Sequence, residues 1–130
     1  MNCLGLDWGK SKLGVALGDD GIKIATPFRV IKFKTYQEAI QNLEKIISDE
    51  QIGHLVIGQP TNLAGEEFES VDFENFLTEL KKLNLQINFE DERLTTKVAV
   101  KKNIERRNHR NEADDDLAAA EILQSYFDKL

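Results

Sequence analysis

The chain has 130 residues, of which 41% are hydrophobic and 31% charged, and its formal net charge is −6. This length predicts a single domain over residues 1–130, and the composition is typical of a soluble globular protein. No apolar run approaches the roughly 18 residues of a membrane-spanning helix, which excludes that class. The acidic balance argues against a protein that coats nucleic acid, because phosphate neutralisation requires Lys and Arg.

The start of the chain predicts a cytoplasmic protein. No signal-peptide pattern precedes the first apolar run, which begins almost at Met1. Cys3 is the single cysteine, so no internal disulfide can form, and a small apolar thiol in a buried strand fits a reducing compartment.

Three strands are predicted in the first quarter of the chain. Residues 2–7 and 12–18 are short apolar runs. Asp19-Asp20-Gly21 directly follows the second run and is a hairpin-turn signal. Residues 22–25 form the third predicted strand, which Pro27 is expected to stop.

A helix and a buried strand are predicted next. Thr35 is a good N-cap, and Glu38 three residues later completes a capping-box spacing ahead of an amphipathic apolar pattern. Gly53 is expected to end this segment. Residues 54–58 then read as a buried parallel strand.

The second half of the chain continues with alternating helices and strands. Residues 66–83 predict an amphipathic helix, and residues 85–89 alternate as a fifth strand. A helix from 95 or 96 to about 107 and a final helix from about 114 to 130 follow. The order β-β-β-α-β-α-β-α-α predicts an α/β fold with a five-stranded mixed sheet flanked by helices.

Three acidic signatures lie at the ends of these predicted elements: Asp7, the pair Asp91-Glu92, and the run 114–116. Each has a structural interpretation by itself, as a turn residue, a salt bridge to Arg93 or a helix cap. In open α/β sheets, however, sites form beyond the carboxyl ends of the strands. Carboxylates brought together there predict a site for hard divalent cations that serves phosphodiester hydrolysis.

The remaining chemistry-bearing residues are weaker candidates. His54 and His109 have no cysteine or second histidine at metal-binding spacing, so zinc is not expected, and His109 is a minor candidate for a phosphate contact. A basic segment reads either as a solvated helix face or as a surface that binds a polyanion. Its members are Lys97, Lys101, Lys102, Arg106, Arg107 and Arg110.

Four motifs in this order resemble those of the YqgF/RuvX family of ribonuclease H-like proteins. They are Leu4-Gly5-Leu6-Asp7-Trp8-Gly9, Leu55-Val56-Ile57-Gly58-Gln59-Pro60-Thr61-Asn62, Asp91-Glu92-Arg93-Leu94-Thr95-Thr96, and Asp115-Asp116-Leu117-Ala118-Ala119-Ala120. The family is described as Holliday-junction-resolvase-like and as nucleases of pre-16S ribosomal RNA. The resemblance therefore implies a ribonuclease H-like fold and a metal-dependent nuclease.

The resemblance also implies roles for individual residues. By position, Asp7, Glu92 and Asp115 would be the catalytic acids, holding Mg²⁺ or Mn²⁺. Further residues would support the site: Asp91 and Asn62 as additional ligands, Thr95 and Thr96 as helix caps or phosphate contacts, and Lys97, Lys101, Arg106, Arg107 and Arg110 as the backbone-binding surface.

The expected partner is nucleic acid, with RNA favoured and branched DNA as an alternative. Two rival functions stay open: a Holliday junction resolvase, and a noncatalytic nucleic-acid-binding ribosome-assembly factor. A monomer and a homodimer are both compatible with the sequence, and no membrane partner is expected.

Overall fold

The structure is a computed structural model that describes residues 1–9, 11–59, 71–91 and 114–130. Its strands form one mixed sheet in the order β3-β2-β1-β4-β5. The strands are β1 (Asn2–Trp8), β2 (Lys12–Asp19), β3 (Ile24–Lys32), β4 (Ile52–Gln59) and β5 (Gln86–Asp91). The described helices are α1 (Tyr36–Asp49), α2 (Val71–Lys81) and α3 (Asp114–Asp128).

The central strand β1 connects the two halves of the sheet. It pairs antiparallel with β2 and parallel with β4, and β4 in turn pairs parallel with β5. The antiparallel strands β2 and β3 complete the sheet on the other side. The five-stranded mixed sheet flanked by helices, which the sequence predicts, is confirmed.

The two faces of β1 differ in side-chain size, and this difference assigns the helices to opposite sides. Leu4, Leu6 and Trp8 point into a large apolar core that also contains buried residues of α1 and α2. Cys3 belongs instead to a second core under α3. The large core covers one face of the sheet, and α3 covers the other.

Helix α3 lies unusually close to the sheet because the strands present small residues to it. A Cβ built on Gly5 would lie 2.6 Å from the carbonyl oxygen of Ala119 and 2.7 Å from Cβ of Leu123. No side chain fits in that space, so the close packing of β1 and α3 requires glycine at position 5.

The expectation that Pro27 stops the third strand is wrong. Strand β3 runs through Pro27 to Lys32, and its register against β2 shifts between Val15 and Ala16, which leaves Phe28 as the extra residue of a bulge. Since β3 is an edge strand, the missing N–H of proline removes no ladder bond that a further strand would need.

The end of α1 also differs from expectation. The helix ends at Asp49, and Gln51, with a φ of 52°, makes the turn that leads directly into β4. Gly53 therefore lies inside β4 and does not end the helix. At the other end of α1 the expected cap is present: the side chain of Thr35 accepts a hydrogen bond from the backbone N–H of Glu38.

Three predicted features fall outside the described residues: the start of the second helix at 66, the loop at 60–62, and the helix over 95–107. None of the helices in the described ranges has the length and apolarity needed to cross a bilayer.

Candidate functional site

The carboxyl ends of three parallel strands meet at one edge of the sheet. Leu6 of β1 pairs with Ile57 of β4, and Gln59 of β4 pairs with Asp91 of β5. The strand that carries Asp7 and the strand that ends at Asp91 are thus separated by β4 alone. We call this side of the sheet the carboxyl edge.

Asp7 is half-buried and lies on the α3 face of β1. The alternation of the strand puts its neighbour Trp8 on the opposite face, where the indole packs against three phenylalanines. The ring centroids lie 4.4 Å from Phe76, 4.8 Å from Phe33 and 5.8 Å from Phe73. This aromatic contact holds the end of β1 in place, and with it the backbone of Asp7.

The first turn of α3 lies beside Asp7 across a glycine. Gly14 is the cross-strand partner of Asp7 in β2. A Cβ built on Gly14 would lie 1.9 Å from the carbonyl oxygen of Asp115 and 3.2 Å from the backbone nitrogen of Asp116. The backbone at positions 115–116 therefore rests directly on the residue next to Asp7.

Two acids of the 114–116 run have described side chains, and both are half-buried: Asp115 and Asp116. They open a helix, where a carboxylate is favoured by the positive end of the helix dipole. The structure thus brings the first and third acidic signatures together, and both contribute oxygen donors that suit a hard divalent cation.

Most other predicted site residues lie outside the described residues. These are Asn62, Glu92, Thr95, Thr96, Lys97, Lys101, Arg106, Arg107, His109 and Arg110. Within the described ranges, no group of three His, Cys, Asp or Glu side chains could hold a metal ion. Asp7 and Asp115 would need a ligand from the remaining part of the chain, and Glu92 follows directly after β5 in the sequence.

His54 has a structural role under α3. Its Nε2 lies 2.6 Å from Oδ1 of Asn88, which can only accept, so Nε2 donates and Nδ1 is left as the acceptor facing Sγ of Cys3 at 3.8 Å. Tyr126 packs edge-on against the ring. Both ring nitrogens therefore have partners within the protein.

The pKa shifts of the described groups lie away from the carboxyl edge. Burial raises the pKa of the Cys3 thiol to about 11, so the thiol stays protonated and unreactive at neutral pH. The backbone N–H of Gly21 lowers the pKa of Asp19 at the β2–β3 turn, on the opposite edge of the sheet.

Glu90 is a residue that sequence reasoning missed. Its carboxylate is buried, and Oε2 accepts hydrogen bonds from Ser125 Oγ at 3.1 Å and from Lys129 Nζ at 2.8 Å. This ties the end of α3 to β5. In the sequence Glu90 is only a charged residue at the end of an apolar run. Its partners Ser125 and Lys129 lie more than thirty residues away, so no local pattern indicates the contact.

Comparisons of the whole sequence agree with the resemblance drawn from the motifs. The model of the family described as "RuvX: Holliday junction resolvase" matches residues 1–129. A protein of Dictyoglomus turgidum is 34% identical over 100% of this chain and 96% of its own length. One of Rhodobacter capsulatus is 37% identical over 97% of this chain and 82% of its own. Both are named "Putative pre-16S rRNA nuclease".

Solved structures share the fold at much lower sequence identity. RuvC of T. thermophilus, in complex with a Holliday junction substrate, superposes with a TM-score of 0.61 at 11% identity, covering 98% of this chain and 93% of that one. The Holliday junction resolvase of fowlpox virus gives 0.60 at 13% identity and covers 100% of both chains. These likenesses identify the fold as ribonuclease H-like.

Proposed function

Because the chain belongs to the RuvX family, we propose that it is a divalent-metal-dependent nuclease that hydrolyses phosphodiester bonds in precursor 16S ribosomal RNA. The observation that carries the proposal is the contact between the first turn of α3 and Gly14, the partner of Asp7. It supports the proposal because β1, which carries Asp7, and the first turn of α3, which carries Asp115, lie side by side. Such a substrate would place the reaction in the cytoplasm.

Carboxylate oxygens on separate elements are the donors that Mg²⁺ and Mn²⁺ prefer. In this proposal Asp7, Glu92 and Asp115 hold the metal, with Asp91 and Asn62 as supporting ligands. When bound, the metal supplies a water made more acidic and an electrostatic partner for the charge that develops on the phosphate.

The remaining proposed roles concern the substrate. Asp7 and Asp115 would hold the metal, and the aromatic contact of Trp8 keeps the neighbouring backbone of Asp7 in place. Thr95 and Thr96 contact phosphate or cap the helix that follows them. Lys97, Lys101, Arg106, Arg107 and Arg110 hold the nucleic-acid backbone.

The test is the substitution Asp7→Asn, with Asp49→Asn as the matched control. Asp49 is an exposed residue at the end of α1, away from the carboxyl edge, and the two variants lose the same charge. Cleavage of precursor ribosomal RNA, a four-way DNA junction and single-stranded DNA is measured with Mg²⁺, Mn²⁺ or EDTA.

We expect the parent and Asp49→Asn to cut precursor ribosomal RNA with metal and not with EDTA. Asp7→Asn should lose at least two orders of magnitude in rate, since a lost metal ligand removes electrostatic stabilisation of the transition state. Its circular dichroism spectrum should be unchanged. Equal cleavage by Asp7→Asn and the parent would show that the proposed mechanism is wrong.

A second candidate is cleavage of branched DNA, because two structural neighbours are resolvases with the same fold. Symmetrical cutting of a junction requires two active sites, so a homodimer that cuts the four-way junction and spares ribosomal RNA would favour this function. A third candidate, a noncatalytic RNA-binding assembly factor, would bind RNA without binding Mg²⁺ or Mn²⁺ below millimolar concentrations in calorimetry.

A further inference from the structure

The side chain of Gln124 joins α3 to the edge strand β3. Its Oε1 accepts a hydrogen bond from the backbone N–H of Ala25 at 2.9 Å, and its Nε2 donates to the backbone carbonyl of Lys23 at 3.0 Å. Ala25 lies in β3, and Lys23 directly precedes that strand. The half-buried amide therefore forms two directed bonds with the backbone at one edge of the sheet.

The same turn of α3 is also tied to the opposite edge of the sheet. Ser125, the next residue, donates to the buried carboxylate of Glu90 in β5 at 3.1 Å, and Lys129, one turn later, adds the ion pair at 2.8 Å. Strands β3 and β5 are the two edge strands. Bonds from Gln124 on one flank and from Ser125 and Lys129 on the other therefore oppose rotation of the helix about its axis in both directions.

The sheet surface beneath α3 leaves this rotation to polar contacts. The strands present mostly small residues to the helix, among them Gly5, Gly14, Ala16 and Gly18. Small residues allow close approach, but the apolar contact they make has no preferred direction. Hydrogen bonds have preferred angles, so the two bonds of Gln124 to β3 are the contacts that fix how α3 is turned against this edge.

The rotation of α3 decides where the acids of its first turn point. Asp115 and Gln124 belong to one uninterrupted helix, about 14 Å apart along its axis. Such an element is rigid, so its two ends turn together. A rotation of about 20° would move side-chain atoms that lie 5–6 Å from the axis by roughly 2 Å. Since Mg²⁺ holds its ligands at roughly 2.0–2.1 Å, this shift would take the Asp115 carboxylate out of a site shared with Asp7.

We propose that Gln124 is a positioning residue for the candidate metal site. By bonding the edge of β3 it fixes the rotation of α3, and thereby the direction of the Asp115 carboxylate relative to Asp7. The proposal rests on the proposed nuclease function and adds to it a residue that acts through α3, without contact to metal or substrate. The third bond of Gln124, from Nε2 to Oδ1 of Asp128 at 3.0 Å, stays within α3 and has no part in this role.

The test removes the two bonds to β3 and keeps the size of the side chain. Gln124→Met has an unbranched side chain of similar length without the amide. Asp128→Ala removes the bond within the helix and leaves both bonds to β3 in place. Thr35→Ala is the stability control, because it removes a hydrogen bond at the start of α1, on the other face of the sheet.

Two quantities are measured at a temperature at which melting curves show every variant to be folded. They are the dissociation constant for Mn²⁺, by calorimetry without nucleic acid, and the kcat and KM for precursor ribosomal RNA at saturating Mn²⁺. We expect Gln124→Met to bind Mn²⁺ at least fivefold more weakly. Its kcat should fall at least tenfold with KM changed less than threefold, because a misplacement of about 1 Å at the reacting groups costs up to about 10²-fold.

The two controls, Asp128→Ala and Thr35→Ala, should stay within twofold of the parent in both quantities. A smaller loss of Mn²⁺ affinity in Gln124→Met than expected would overturn the proposal. An equal loss in Thr35→Ala would overturn it too, since the effect would then follow stability and not the rotation of α3. An equal loss in Asp128→Ala would show that the bonds to β3 are not the ones that matter.

The outcome separates this inference from the proposed function. If the parent cuts ribosomal RNA and Gln124→Met binds Mn²⁺ and cuts like it, the positioning role is wrong and the nuclease function stands. If the parent binds Mn²⁺ and cuts no substrate, while Gln124→Met alone binds Mn²⁺ more weakly, the nuclease function is wrong and the positioning role stands. A parent that binds no Mn²⁺ overturns both.

Discussion

Gly14 is the residue on which the meeting of Asp7 and α3 depends. A Cβ at this position would lie 1.9 Å from the carbonyl oxygen of Asp115, which belongs to the backbone and cannot rotate away. Gly14→Ala must therefore displace the first turn of α3. We expect it to lower the free energy of unfolding by about 1–3 kcal/mol, measured by urea denaturation, because the packed interface is overfilled. Metal-dependent cleavage should fall as well.

Gly53→Ala is the matched control for this prediction. Gly53 also lies in a strand, but a Cβ there would lie 3.1 Å from Cγ and Sδ of Met1, the movable end of an exposed side chain. We expect a change within about 0.5 kcal/mol of the parent, since Met1 can shift and the alanine restricts the unfolded chain. Equal losses in the two variants would contradict the role assigned to Gly14.

The ion pair of Lys129 and Glu90 should stabilise the protein more than its exposed counterpart does. The distance from Lys129 Nζ to Glu90 Oε2 is 2.8 Å, and that from Lys82 Nζ to Glu79 Oε1 is 3.0 Å, but the Glu90 side chain is 6% exposed and that of Glu79 37%. Lys129→Met leaves a buried carboxylate with one donor fewer. We expect a loss of about 1–2 kcal/mol in urea denaturation, kept small because Lys129 itself is half-exposed.

Lys82→Met is the corresponding exposed change, and we expect it to alter stability by less than about 0.5 kcal/mol. If both methionine variants unfold at the parent's urea concentration, the contact between Glu90 and the end of α3 does not contribute to holding that helix on β5.

At the scale of elements, the cap of α1 makes a separate prediction. Thr35 accepts from the N–H of Glu38, so Thr35→Ala leaves a helix donor without its partner. We expect a loss of about 1 kcal/mol. Thr78→Ala is the contrast, because its hydroxyl donates to the carbonyl of Glu74 within α2 and alanine is the better helix former. In thermal melts, the midpoint of unfolding should be lower than that of the parent for Thr35→Ala and should not be lowered for Thr78→Ala.

The elements that were predicted from the sequence are those with local signals. The cap at Thr35 and the apolar run of β1 are read from neighbouring residues, and the structure confirms both. Pro27 misled the prediction because its tolerance depends on β3 being an edge strand, which only the assembled sheet determines. Gly53 misled it because the turn was made by Gln51 in a left-handed conformation that no sequence rule required.

The same distinction applies to the candidate site. Asp7 could be selected from the sequence because it is the single acid in its motif. The choice within 114–116 depends on how α3 is rotated against Gly14. This rotation is a property of the packed helix and sheet, and a short stretch of sequence does not determine it.

At the scale of the whole molecule, the net charge of −6 is compatible with a nucleic-acid partner because charge is unevenly placed. The basic segment 97–110 concentrates positive charge in one stretch of the sequence. Acidic residues gathered at a metal site repel one another until a cation binds. The bound metal should thus stabilise the whole fold, and not the site alone.

This coupling gives the last prediction. Adding Mg²⁺ or Mn²⁺ should raise the melting temperature of the parent in a concentration-dependent manner. At a metal concentration of 100 times the dissociation constant, the free energy of unfolding should increase by about 2.7 kcal/mol. Without metal, Asp7→Asn should remain folded, and its melting temperature in EDTA is the baseline for its own shift. With metal its shift should be lost, whereas Asp49→Asn should keep the parent shift. A metal-induced shift in Asp7→Asn as large as that of the parent would place the cation elsewhere in the molecule.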